Sequence, residues 1–250
     1  IPLYALLLGT FKGGAELFVS GLNLQIIPEK LHLRAWQYLF TGVMSNGELN
    51  PHDYFIWYKN SLLLVLIQGT LTLLFSSMVA YGIAKYKFRF RNAIFMCVLL
   101  VMMVPQEILM LPMYTQINAM GMRNSYAGII IPFVANMSAI FFFRQYLQAN
   151  FQISLVEASR IDGAGEFRIL FKVYLPLSRA ASLVIVLFTA VAFWNMWFEP
   201  LLYMTDRSSY PLQSVLREIL IENATSIQSS GTFFSVFATS ERSRSFVLQT

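Results

Sequence analysis

The sequence predicts an all-α fold, a polytopic bundle of transmembrane helices, and three observations carry that prediction. First, 56% of the 250 residues are hydrophobic and only 12% are charged, where a soluble domain averages about 25% charged. With a mean hydropathy of +0.57, most of the surface must face something other than water. Second, four apolar runs, at about 61–84, 93–116, 125–143 and 180–198, match the roughly 20 residues that cross a bilayer as a helix. Third, basic residues gather in short connections between the runs, the bias that orients a membrane protein. The net charge of +5 is therefore topological. Nucleic-acid binding by the aromatic-laced basic run 85–91 is the alternative reading of the same residues.

Residues 1–11, IPLYALLLGTF, are apolar but about half a span long. They are read as the end of a truncated first transmembrane helix. Residues 12–59 form an extracytoplasmic segment punctuated by Gly13-Gly14, Pro28, Asn46-Gly47 and Asn50-Pro51. His32 and His52 lack metal-ligand spacing, so no metal site is expected. Trp36, Tyr38, Tyr54, Trp57 and Tyr58 suit the headgroup level of a membrane interface; stacking on a sugar is the alternative.

The transmembrane core spans residues 60–205. In its first run, 61–84, Gly69, Ser76, Ser77 and Gly82 let another helix approach closely, and the basic segment from Lys85 to Arg91 ends it. The second run, 93–116, is interrupted by Pro105, Glu107 and Pro112. An acid at membrane depth is costly and marks a candidate functional residue. The structural alternative places Glu107 near the outer interface, or on backbone groups freed by Pro105. Cys97, the one cysteine, leaves no intrachain disulfide to form. The third run, 125–143, ends at Arg144, and Asn136-Met-Ser138 inside it fits a glycosylation pattern by letter alone.

Between the third and fourth runs lies SLVEASRIDGAGEFRILFKVYLP, residues 154–176, the most charged stretch of the chain. Ser154 with Glu157 forms a capping box. Asp162-Gly163 ends that short helix, since glycine takes the left-handed cap conformation without steric cost. A second helix is expected from about Ala164 to Val173, with Pro176 stopping it. In the fourth run, 180–198, Trp194 and Trp197 stand three apart and Asn195 and Glu199 four apart, so each pair shares a helix face. Rings beside hydrogen-bonding groups can hold a sugar. These four residues and Glu107 are the candidate substrate pathway; an aromatic belt ended by Pro200 is the alternative. Residues 206–250 form an outer loop leading to a missing last helix, and Asn223-Ala-Thr225 in it is another glycosylation pattern.

Glu157-Ala158-Ser159, Gly163 and Leu175-Pro176 together resemble the EAA loop of binding-protein-dependent ABC importer permeases. The residues around them, with FWNMWFEPLLYMTDRSSYPLQSVLREIL further on, resemble the carbohydrate-uptake branch, especially the maltose-type and complex-oligosaccharide permeases. The likeness runs from roughly Lys59 to Asn223. It departs at Ser159, usually Ala in the family, and at Val173, commonly Ile.

The resemblance implies a type I ABC importer bundle in the bacterial inner membrane, with 150–176 as the cytoplasmic coupling-helix loop. It implies docking on a separate ATPase subunit through Glu157, Ala158, Ser159, Arg160, Asp162, Gly163, Leu175 and Pro176, with Arg168 and Lys172 at the rim. Glu157 can instead cap its own helix, or do both. Further implied partners are a second homologous permease and an extracytoplasmic solute-binding protein. ATP and Mg belong to the ATPase subunits, with no cofactor on this chain. Charge counting gives the same topology: the two proposed cytoplasmic segments hold nine basic residues against three acids, the long outer segments eight against nine.

No catalytic set appears in the sequence. It lacks G-x-x-x-x-G-K-[ST], H-E-x-x-H and G-x-S-x-G, the patterns of phosphate cradles, zinc peptidases and serine hydrolases. The expected function is a permease subunit passing sugars or oligosaccharides inward by alternating access. A permease for a peptide or phosphate ester is the alternative within the class. An intramembrane enzyme or a structural membrane protein are the alternatives outside it.

Overall fold

The computed structural model describes residues 7–11, 32–33, 36–37, 40, 54–151 and 154–221. Expectations for Tyr38, His52, Asn223, the start of the first helix and the last helix lie outside the described residues. Residues Ile1–Phe55 form one compact unit and Ile56–Thr250 another. Within the first, Trp36 stacks between Phe11 and Phe40, with ring centroids 6.0 and 6.2 Å away. Its indole N–H donates to the Thr10 hydroxyl over 3.3 Å.

The described residues are helical, without strands. Helix α1, Tyr54–Lys85, inverts the pattern of a soluble helix. Ser61, Gln68, Thr72 and Ser76 fall on one stripe and are 0–1% exposed, while Leu62, Leu66 and Phe75 point outward. A helix that hides its polar groups and presents its apolar ones has lipid, not water, as its solvent. Gln68 donates to the Thr72 hydroxyl over 3.1 Å. A Cβ built on Gly69 would meet Val186 at 3.8 Å, but one built on Gly82 would meet nothing within 4 Å. Among the described residues of this chain, the close approach expected of both glycines is therefore seen at Gly69 and not at Gly82.

The second apolar run is not a straight span. Helices α2, Arg91–Met102, and α3, Gln106–Ala119, meet at 101°. Pro105 lacks an N–H and biases the preceding residue away from helix. It sits in extended backbone and opens α3.

The third run continues past its expected end. Helix α4, Tyr126–Ile130, a 3-10 turn, Ile131–Phe133, and α5, Met137–Asn150, together make one 25-residue apolar segment, Tyr126–Asn150. Arg144 is inside it and only 8% exposed. Its guanidinium lies 3.5 Å from the Phe95 ring centroid and donates to Gln145 over 2.9 Å, contacts that stand in for lost water. The Asn136 side chain accepts the Ala139 N–H at 3.0 Å, so this asparagine is a helix cap.

Two further helices, α6, Ser154–Ile161, and α7, Glu166–Leu177, make the elbow. Helix α7 runs past Val173 because Leu170–Tyr174 widens into a π turn. That wider turn makes room for Pro176, which lacks an N–H and crowds the preceding turn. An 85° bend at Ser178 leads into α8, Arg179–Trp194.

The expected fourth span also ends early, since α8 stops at Trp194 and α9, Phe198–Tyr203, follows a break. Asn195 folds its amide back onto the Val191 carbonyl, 2.8 Å away, and Pro200 falls in the first turn of α9, where its missing N–H leaves no helix bond unmade. A 3-10 turn, Arg207–Ser209, and helical residues 212–221 complete the described chain.

One core cluster gathers Phe143, Leu147, Ile169, Tyr174 and Ile185 beneath the elbow. Another gathers Leu64, Ile117, Ile129, Phe193 and Tyr203 near the opposite end of α1.

Candidate functional site

Helix α6 ends as its sequence dictates. Gly163 takes φ +73°, its N–H donates to the Arg160 carbonyl at 3.0 Å, and the Ala164 N–H donates to that of Ser159 at 3.0 Å. This pair of bonds is a Schellman closure, which satisfies carbonyls left orphaned at a helix end. Nothing lies within 4 Å of a Cβ built on Gly163, so glycine is needed for its backbone conformation and not for space.

The eight expected coupling residues divide. Glu157, Ala158, Asp162 and Gly163 are exposed on α6 and its turn. The Ser159 hydroxyl returns to the Leu155 carbonyl at 2.8 Å. Leu175 packs on the core beneath the elbow, while Pro176 shapes the joint before α8. Ser154 is the first helical residue, with Glu157 in the first turn. Val156 is buried, but Ile161 is 86% and Phe167 66% exposed. Ile161 and Phe167 thus leave large apolar side chains exposed among the charges of the elbow.

Arg160 is not a lone rim charge. Its Nε donates to Glu166 Oε1 at 2.9 Å, and a second guanidinium nitrogen lies 2.7 Å from the same oxygen. The Tyr81 hydroxyl donates to Glu166 Oε2 at 3.0 Å. The Arg160 guanidinium also stands 5.6 Å from the Tyr86 ring centroid. Burial pushes the Glu166 carboxyl upward, but hydrogen bonds from Tyr86, Arg160 and Tyr81 and the guanidinium charge outweigh it and hold the group below its ordinary range. The hydrogen bond to Glu166 raises Arg160 in turn.

Beside this pair, Lys85 donates to the Leu147 carbonyl at 3.1 Å and to that of Phe151. Its ammonium lies 5.5 Å from the Tyr174 ring centroid. Sequence reading gave Lys85 and Glu166 only a place in the charge balance, and Tyr81 none. The available signal was spacing, since Tyr81 and Lys85 stand four apart on one face at the end of α1.

The outer candidates also divide. Glu107, Trp197 and Glu199 line one cavity of about 430 Å³ with Gln106, Phe133 and Tyr203, and Gln106 donates to Glu199 Oε1 at 3.1 Å. Trp194 and Asn195 are not among its lining residues. Trp194 packs edge-on against Tyr58, 5.6 Å between centroids, and Asn195 closes α8. The helical face expected to pair Trp194 with Trp197 does not exist, because the break after α8 separates them. Trp57, expected at the interface or on a sugar, is buried and donates to the Arg207 carbonyl at 2.9 Å. The cavity pairs ring faces with one amide and two carboxylates, groups that suit the C–H faces and hydroxyls of a sugar.

Residues 72–240 match the family of binding-protein-dependent transport system inner membrane components. The chain is 38% identical to the arabinooligosaccharides transport system permease protein of Bacillus subtilis, over 88% of this chain and 75% of the relative. It is 31% identical to the polygalacturonan/rhamnogalacturonan transport system permease protein of the same organism, over 78% and 64%. Identity to the sn-glycerol-3-phosphate transport system permease protein of Pectobacterium atrosepticum is 30%, over 82% and 71%. A chain of a bacterial ABC transporter involved in import of the acidic polysaccharide alginate superposes with a TM-score of 0.76 at 23% identity, covering 88% of this chain and 74% of that one. That likeness establishes the helical architecture.

Proposed function

This chain belongs to the family of binding-protein-dependent transport system inner membrane components, multi-pass permeases of ABC importers, and we propose that its own cargo is an oligosaccharide. The observation that carries the coupling mechanism is the elbow: a short capped helix, apolar at Ile161 and charged at Glu157, held outside the bundle by a closed glycine turn. In this reading, separate ATPase subunits bind ATP and Mg, and a groove on them receives α6 through Glu157, Ala158, Asp162 and Gly163. Closure of the ATPase pair displaces α6. Because Val156, Ile169 and Tyr174 pack into the same core as Ile185 of α8, the displacement reaches the membrane helices as movement of a packed body. A second permease completes the pathway, and a solute-binding protein delivers the sugar to the outer side.

Sugar as cargo is supported by the relatives named for arabinooligosaccharides and for polygalacturonan/rhamnogalacturonan, and by the cavity at Trp197. A phosphate ester is the second reading, favoured by the glycerol-phosphate relative. Glu107 and Glu199 in the cavity count against it, since carboxylates repel a phosphate and, among the described residues, no lysine or arginine lines the cavity.

The test is ATP hydrolysis by the complete complex in liposomes with its cognate solute-binding protein. Stimulation by an arabino-oligosaccharide, with none by glycerol 3-phosphate, supports the proposal. The reverse pattern overturns it.

A further inference from the structure

Three elements meet on one carboxylate. Glu166 opens α7, Arg160 stands in the last turn of α6, and Tyr81 lies in the last turn of α1. Tyr81 is itself fixed: 4% exposed, 5.2 Å from the Tyr174 ring and 5.8 Å edge-on from that of Tyr86. By contrast, the link between α6 and α7 is open at its two glycines, with nothing within 4 Å of a Cβ built on Gly163 or Gly165. Backbone hydrogen bonds close the end of α6, and the side chain between the two glycines, Ala164, rests against the core beneath the elbow.

We propose that Glu166 is the strap through which the elbow drives α1, a positioning residue that passes displacement of α6 to the long helix instead of letting the glycine link absorb it. The proposal rests on the ATP-coupled reading given above. Both oxygens of the carboxylate are engaged: Oε1 accepts from Arg160, which closes the link, and Oε2 accepts from Tyr81, which ties the closed elbow to α1. Charge-assisted bonds of this kind are about twice as strong as neutral ones, and two of them fix an orientation that one leaves free.

Helix α1 is suited to be the driven element. Its 32 residues span about 48 Å at 1.5 Å per residue. At its far end Trp57 donates to the Arg207 carbonyl at 2.9 Å, and the Ser61 hydroxyl accepts the Leu212 N–H at 2.9 Å. The helix is therefore pinned to the elbow at one end and to the outer 207–212 segment at the other. Helix α8, the direct continuation of the elbow, leaves it through the 85° bend, a poorer route for an axial push. The strap makes α1 a rod between the two sides of the membrane.

The experiment compares wild type, Tyr81→Phe, Glu166→Gln and the double variant in the complete reconstituted complex, reading assembly, basal hydrolysis and solute moved per ATP. Tyr81→Phe is expected to assemble and to keep basal hydrolysis within about twofold, while solute moved per ATP falls about fivefold. Glu166→Gln is expected to fall similarly, and the double variant no further, because both break the same strap. A Tyr81→Phe complex that moves wild-type solute per ATP overturns the proposal, and so do losses that multiply in the double variant. If Glu166→Gln fails to assemble, Tyr81→Phe decides alone, since it removes one oxygen and no packing. A wild type whose hydrolysis ignores every solute overturns the transport reading and the strap with it; a stimulated wild type matched by Tyr81→Phe overturns the strap alone.

Discussion

Lys85, the last residue of α1, donates its ammonium to the carbonyl of Leu147 in the last turn of α5, 3.1 Å away. The same nitrogen reaches the Phe151 carbonyl. One side chain thus closes the inner end of α5 and joins it to α1. Lys85→Met keeps the stem and loses the charge. It is expected to lower stability by about 1–2 kcal/mol, the scale of hydrogen bonds to a charged group. Thermal unfolding of the purified permease in detergent measures this, and an unchanged midpoint contradicts it.

Gly163 permits a separation of conformation from space. With φ +73° and open space where a Cβ would lie, Gly163→Asn is expected to be nearly silent. Gly163→Val is expected to cost about 1–2 kcal/mol in α6 closure. Amide exchange of Ala164, whose N–H completes the turn, reports it. Equal exchange in the two variants would show that backbone conformation is not what selects glycine.

Asn124, at φ +53°, accepts the N–H groups of Thr205 and Asp206 on one side-chain oxygen, at 3.1 and 3.0 Å. Asn124→Ala removes that acceptor and keeps the strained backbone, so it is expected to cost about 2 kcal/mol. Asn124→Asp keeps the acceptor and most of the stability. Faster exchange at Thr205 and Asp206 in the alanine variant alone is the expected signature; identical rates in both variants contradict it.

Acid is expected to loosen the elbow. The Glu166 carboxyl titrates below its ordinary value in the folded chain, with burial opposed by hydrogen bonds from Tyr86, Arg160 and Tyr81. A lowered folded value means a contribution fully present above the ordinary carboxylate pKa and lost as pH falls through the lowered one. Protection of 160–166 amides is therefore expected to decline below that ordinary value in wild type. Glu166→Gln, with no charge to lose, is expected to be flat there. A variant that declines in parallel assigns the acid limb to another group.

The elbow was legible because its signals are local. Gly163 speaks for its own turn, and the glycine closure formed where it was placed; Pro176 did not stop its helix, because a π turn carries α7 through it. Residues far apart did not announce one another: Tyr81 and Glu166 are 85 positions apart, and only the packing of α1 against α7 joins them. The outer site was half legible. Glu107, Trp197 and Glu199 share a cavity, but the face assigned to Trp194 and Trp197 assumed an unbroken helix. Asn195 competes for the backbone and ends that helix. Arg144 misled for a related reason: a charge usually marks a span's end, yet the Phe95 ring allows this one to lie within.

Whether α6 and its turn couple ATP hydrolysis to solute is decided by solute-stimulated hydrolysis in the reconstituted complex carrying Gly163→Val. The complex is expected to assemble, to hydrolyse ATP at a basal rate, and to lose stimulation by oligosaccharide and its binding protein. Wild-type stimulation in that variant would contradict the account and reduce the elbow to a structural hairpin.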